Sequence, residues 1–152
     1  MPPSCTIPGE GVCLERDRGF SLIEVPFGIM LPGGKRVGTV AYRNLSRRRG
    51  TAEIGIELHP DYRGQGLGPR AIRALLDYLF GPLGLRRVWL RVMPDNERAI
   101  RCYEKCGFRR AGWGKAYLFF PCLVMELTRA EFAGGGMRSP GQGGVSSAGG
   151  DE

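Results

Sequence analysis

Three observations predict an α/β chain built on one mixed sheet. Two apolar runs flank a Pro-Gly-Gly turn, a strand–helix–strand unit follows, and two further strand-like runs close the apolar part. A tight turn joins antiparallel strands, whereas a crossover helix joins parallel ones. The chain has 152 residues, 42% of them hydrophobic. That suits a single domain with an ordinary core.

Taken in order, residues 1–19 hold Pro2, Pro3, Pro8 and several glycines, and read as a flexible lead-in. Residues 20–31 are rich in Leu, Ile, Val and Phe and predict a strand broken near Pro26. Pro32-Gly33-Gly34-Lys35 is a hairpin turn, and residues 37–45 return as a second strand. Arg47-Arg48-Arg49-Gly50 is a basic turn. From Thr51 to Leu58 the residues alternate, with Ala52, Ile54, Ile56 and Leu58 on one side and Glu53 and Glu57 on the less apolar one.

Residues 69–80 are helical, because Ile72, Leu75, Leu76 and Leu79 fall at i, i+3, i+4 and i+7. Pro69 suits the first helical position and Gly81-Pro82 ends the helix. Val88, Leu90 and Val92 mark a strand parallel to residues 51–58. Asn96 opens a second, short helix that Gly107 closes. Residues 108–113 and 117–127 are the last two strands. The domain is expected over residues 20–132, with a disordered Gly/Ser-rich tail over residues 133–152. No internal repeat is present.

Composition narrows the partners. Twenty-two basic residues, nineteen of them Arg, face fifteen acidic ones, giving +7. Such a surface favours RNA, acidic protein or a polyphosphate ligand, or is simply solvated. Five cysteines with no secretory signal and no membrane-length apolar run imply a reducing, cytoplasmic setting and free thiols. Cys102 and Cys106 are one helical turn apart, but His59 is the only histidine, so no metal site is expected. His59 itself, beside Pro60, reads as a turn residue.

The most informative stretch is Arg63-Gly64-Gln65-Gly66-Leu67-Gly68, between a strand and a helix. The first backbone N–H groups of a helix lack partners inside it, and the helix dipole adds positive potential there. A pyrophosphate fits such a place. A second signal runs from Asn96-Glu97-Arg98-Ala99-Ile100 to Tyr103-Glu104-Lys105-Cys106-Gly107-Phe108. Asn96 and Tyr103 are two helical turns apart and share a face.

With Ala52-Glu53-Ile54-Gly55-Ile56 and His59-Pro60-Asp61-Tyr62 ahead of the glycine turn, this ordered set resembles the GNAT superfamily of N-acetyltransferases over about residues 20–132. Within it the chain looks most like the branch that modifies ribosomal-protein N-termini and related small amines. The resemblance implies the acyl-CoA N-acyltransferase fold, with parallel strands splayed at a cofactor cleft. It implies acetyl-CoA as acyl donor and a primary amine as acceptor: a protein N-terminus, a polyamine or a small amine.

It implies that main-chain amides from Gly64, Gln65, Gly66, Leu67 and Gly68 hold the pyrophosphate, with Arg63 also at the cofactor site. Pro69 sits at the edge of that site and has no N–H to give. Ile56, Glu57 and Leu58 would pair with the pantetheine arm through their main chain. Asn96 would hydrogen-bond the same arm, and could equally be a helix N-cap. Tyr103 would be the general acid at the leaving sulfur, its alternative being a packed core aromatic.

For the base, Glu53 and Glu57 stand level, acting directly or through water. The other place where family members keep a base is Arg91 here, which cannot serve. Family members carry a strand and two helices ahead of the hairpin, forming much of the acceptor wall, and only about nineteen residues precede Phe20. A neighbouring subunit in a homodimer, an open acceptor site and an incomplete gene product stay open as explanations. Two other functional readings are a non-catalytic acyl-CoA sensor and a basic RNA- or ribosome-binding module. The latter lacks an aromatic–basic signature, so direct nucleic-acid binding is not expected.

Overall fold

The computed structural model describes residues 6–17, 23–115 and 120–136. The strands are β1 (Thr6–Pro8), β2 (Cys13–Arg16), β3 (Glu24–Met30), β4 (Arg36–Ser46), β5 (Thr51–Leu58), β6 (Arg87–Val92), β7 (Arg109–Lys115) and β8 (Pro121–Thr128). The helices are α1 (Leu67–Phe80), α2 (Glu97–Lys105) and the single turn α3 (Arg129–Glu131). Among the described residues the strands form one sheet in the order β1-β2-β3-β4-β5-β6-β8-β7. β5 and β6 are parallel, and every other neighbouring pair is antiparallel. The mixed α/β sheet expected from the sequence is the sheet observed.

One face of the sheet carries α1, whose apolar stripe is the core. Ile72, Leu75, Leu76 and Leu79 are fully buried, against Leu14, Phe27, Ile29, Val40 and Ile54 from the strands. Burying each such side chain is worth about 1.5–3 kcal/mol. The other face carries a row of polar partners in cross-strand register: Glu24, Arg43, Glu53, Trp89, Glu126 and Arg109.

Several expectations need correction. The lead-in is not flexible over residues 6–16, which form β1 and β2. Ile7, Val12 and Leu14 are buried, the two strands pack on α1, and Gly9 lets the chain pass close to Ala74. Glycines and prolines that looked like loop composition serve a tight turn and a close approach.

Pro26 does not break its strand. It pairs with Ala41, and its carbonyl accepts from the Asp17 N–H at 3.0 Å where β2 stops. A missing donor costs little at that margin of the pairing. α1 begins two residues before Pro69, which is third in the helix and not first. Donors of the first turn lack helical acceptors in any case, so a proline is tolerated there. Glu53, on the less apolar side of β5, is wholly buried. The domain continues past residue 132 into a π-helical turn, Phe132–Gly136, whose Phe132 packs on Phe80 with ring centroids 5.3 Å apart. Residues 20–22, residues 117–119 and residues 137–152 of the expected strands and tail lie outside the described residues.

Candidate active site

The glycine turn is built from the end of β5 forward. His59 Nδ1 accepts from the Asp61 N–H at 3.2 Å and starts the short 3-10 turn Pro60–Tyr62. Arg63 folds back, its Nε donating to the Leu58 carbonyl at 3.3 Å. Gly64 and Gly66 take φ of 76° and 80°, the left-handed region that costs glycine nothing. Gly66 then caps α1 with no side-chain hydrogen bond.

Among the described residues, no turn or cap hydrogen bond is donated by the N–H groups of residues 64–68. The first such donor is Arg70, to Gly66 at 3.4 Å. The helix entrance therefore presents free amides and the positive end of a fourteen-residue dipole. Pro69 contributes only its carbonyl, which accepts from the Cys106 thiol at 3.7 Å.

The cleft beside that entrance comes from the sheet. β5 and β6 pair only through Thr51, Ala52 and Glu53 with Arg87, Val88 and Trp89. β5 continues to Leu58 and β6 to Val92 without further pairing. On its other edge β5 stays paired with β4 as far as Leu58. Ile56, Glu57 and Leu58 thus line the opening between the two parallel strands. Gly38 on β4 permits that pairing, since a Cβ there would collide with the Glu57 carbonyl.

α2 closes the region. Asn96 is its N-cap, its side chain accepting from the Ala99 N–H at 3.3 Å. The helix packs close to the head of α1, where a Cβ on Gly68 would lie 3.2 Å from the Cys102 sulfur. Tyr103 is only 6% exposed, edge-on to Phe108 at 6.0 Å. Among the described residues no hydrogen bond engages its hydroxyl, and a buried polar group without a partner points to a ligand.

Burial pushes the Tyr103 phenol well above its ordinary value. Charge on Cys102 and Cys106 would push the same way, and Arg43 opposes them. Tyr103 therefore keeps its proton across the physiological range. Burial also pushes the Cys102 thiol up to about 11 and the Cys106 thiol up to about 12. Neither is poised as a nucleophile, because the thiolate is the reactive form.

The two carboxylates named as candidate bases are in opposite situations. Glu57 is exposed, opposite Thr39. Glu53 is 0% exposed and surrounded by donors. Arg91 Nε donates to Oε2 at 2.8 Å and Nη2 to Oε1 at 3.1 Å. Asn44 Nδ2 donates to Oε1 at 2.8 Å, and Arg43 approaches within 3.4 Å.

Arg43 and Asn44 were not singled out from the sequence. Asn44 sits at an irregularity in the β4–β5 pairing with φ 53°, a conformation Asn tolerates better than most. An Asn three residues before the Arg47–Gly50 turn is the only sequence signal for it. Glu24, Arg43, Glu53, Arg91, Val92 and Met93 line a cleft of about 580 Å³, together with Ile23 and Cys122.

Residues 12–108 match the model of the acetyltransferase (GNAT) family. The spermidine N(1)-acetyltransferase of Escherichia coli K12 is 37% identical over 79 residues, covering 52% of this chain and 42% of the relative. The N-alpha-acetyltransferase RimI of Mycobacterium tuberculosis is 36% identical over 91 residues, covering 56% of this chain and 55% of the relative. The chain spans about half the length of these relatives.

Among solved structures, Mycobacterium smegmatis RimJ in complex with CoA-disulfide superposes with a TM-score of 0.67 at 28% identity, over 72% of this chain and 55% of that one. Vibrio cholerae spermidine N-acetyltransferase in complex with CoA and spermine gives 0.67 at 25% identity, over 74% of this chain and 69% of that one. The matched stretch contains β2 to β6, both main helices, the free-amide turn and Tyr103, and the chain belongs to the acetyltransferase (GNAT) family.

Proposed function

We propose that the chain moves an acetyl group from acetyl-CoA to a primary amine by direct attack. The observation that carries this reading is the run of free amides at the entrance of α1, opening onto the gap between β5 and β6. The amides of residues 64–68 would hold the pyrophosphate, and the unpaired edge of Ile56, Glu57 and Leu58 would hold the amide-bearing arm as an added strand. Acetyl-CoA supplies the activated acyl carbon.

Tyr103 keeps a proton at its hydroxyl and presents it to the departing sulfur. The amine must shed a proton to attack. Glu57, exposed and without a salt bridge among the described residues, is the proposed acceptor, through water. Asn96, whose side chain already caps α2, is assigned to the arm only secondarily.

For the acceptor, the cleft favours the α-amine of a polypeptide over a polyamine. Its two carboxylates, Glu24 and Glu53, face Arg43 and Arg91, and the chain carries +7. A polycation finds no uncommitted negative charge there.

The test is incubation of the full chain with acetyl-CoA and matched panels of peptides and polyamines, following free thiol. Thiol release with peptides, lost in Tyr103→Phe, is the expected result. CoA binding with no release from any amine would leave a CoA-binding module without transferase activity. Absence of CoA binding would remove the reading altogether.

A further inference from the structure

Backbone pairing between β5 and β6 ends at Glu53 and Trp89. One step further the strands part, and no backbone pairing between them sets how far. The side chains do. Glu53 is the last paired residue of β5, and Arg91 is two residues beyond its partner on β6, so both project on the same side of the sheet.

Arg91 reaches diagonally across the parting and binds both carboxylate oxygens, at 2.8 and 3.1 Å. A planar guanidinium in a two-point grip fixes direction as well as distance. The third nitrogen of Arg91 donates to the Lys115 carbonyl at 3.2 Å, tying the same point to the end of β7. On the far side Asn44 holds Oε1 at 2.8 Å, and Arg43 lies 3.4 Å away.

A carboxylate offers about four acceptor positions. Arg91 takes two, Asn44 one, and Arg43 stands at the remaining one. Nothing is left to receive a proton from an incoming amine unless the network comes apart.

We propose that Glu53 and Arg91 are positioning residues: a charged strut that sets the opening between β5 and β6, with Glu53 not acting as the catalytic base. This rests on the acetyl-CoA reading of the opening. The strut acts on how well the arm is held, and leaves the proton transfers to other groups.

The experiment measures CoA binding by calorimetry and steady-state kinetics with the amine that the wild-type chain acetylates, on Arg91→Met, Arg91→Lys and Glu53→Gln, with thermal melting of each. Arg91→Met should raise both the Kd for CoA and the KM for acetyl-CoA by about tenfold or more while kcat stays within about threefold. Arg91→Lys, which keeps the charge but loses the two-point grip, should fall between. Glu53→Gln should also raise KM, with kcat within about threefold.

A Glu53→Gln variant that loses kcat by roughly a hundredfold at unchanged KM would make Glu53 the base and overturn the proposal. Folded Arg91 variants that bind CoA as wild type does would overturn it equally. If Arg91→Met does not fold, the Arg91→Lys and Glu53→Gln results decide on the same criteria. Wild-type chain that fails to bind CoA would instead sink the proposed function, which separates the two failures.

Discussion

Gly66 and Gly33 form a matched pair. Gly33 is in the β3–β4 turn at φ 98° and Gly66 is at the head of α1 at φ 80°. A Cβ added to either meets nothing within 4 Å. Replacing each by Ala therefore exacts the same kind of cost, the strain of a left-handed residue, about 1–2 kcal/mol. At about 2–8 °C per kcal/mol for domains spanning this size, both melting temperatures should fall by roughly 2–15 °C.

The two should part company on ligand binding. At Gly66 the new methyl lies within the run of free amides at the head of α1. Losing one charge-assisted contact to a phosphate is worth about 1.5–3 kcal/mol, so the Kd for CoA should rise roughly 10- to 150-fold. Gly33→Ala should bind CoA as wild type does. Differential scanning fluorimetry gives the first quantity and titration calorimetry the second. Equal CoA affinity in two equally destabilised variants would refute the assignment of phosphate binding to this turn.

Tyr103→Phe keeps the edge-on contact with Phe108 and removes only the hydroxyl, so kcat should drop by about 10²–10⁴ while CoA affinity, read by calorimetry, stays put. At pH 8 the thiolate fractions of Cys102 and Cys106, from thiols at about 11 and about 12, are on the order of 10⁻³ and 10⁻⁴. Iodoacetamide should therefore label them slowly in the folded chain and quickly in urea, as read by peptide mass spectrometry. Folding favours the protonated form of both thiols. Their contribution to stability is complete below the ordinary value of 9.0 and is lost as pH climbs through 11 and 12. Denaturant midpoints measured from pH 8 to 11 should fall accordingly.

The glycine turn was legible because it depends on local chemistry. Glycines flanking a helix start have one economical explanation, a turn with positive φ ahead of free amides. Gly64, Gly66 and α1 take that form. That Asn96 and Tyr103 share a helix face followed from their spacing, while the roles proposed for them rest on the family resemblance. Parallel pairing of β5 and β6 followed from the length of the crossover. The lead-in was misread because Pro8, Gly9 and Gly11 dominate a window in which only Ile7, Val12 and Leu14 carry the burial. Three apolar residues at uneven spacing give no period to detect.

The burial of Glu53 was not legible for a different reason, and it is the more instructive case. Alternation along β5 assigns a side of the sheet to each residue, and it assigned Glu53 correctly to the polar side. A polar side of a strand is not thereby an accessible one. Whether a carboxylate on that side meets water depends on what reaches it from other strands. Here three donors come from β4 and β6, nine or more residues away in sequence.

The same pairing repeats along the row. Arg43 lies between Glu24 and Glu53, and Glu126 between Arg87 and Arg109. Each partner is ordinary on its own strand, and only the register puts opposite charges side by side. A row of alternating charge is stable in water without an apolar covering layer, since opposite charges across neighbouring strands attract and like charges repel. So this face of the sheet can border an open cleft with its charges partnered across the strands. The strut at Glu53 is the member of the row that falls where the strands separate, and its burial follows from that position.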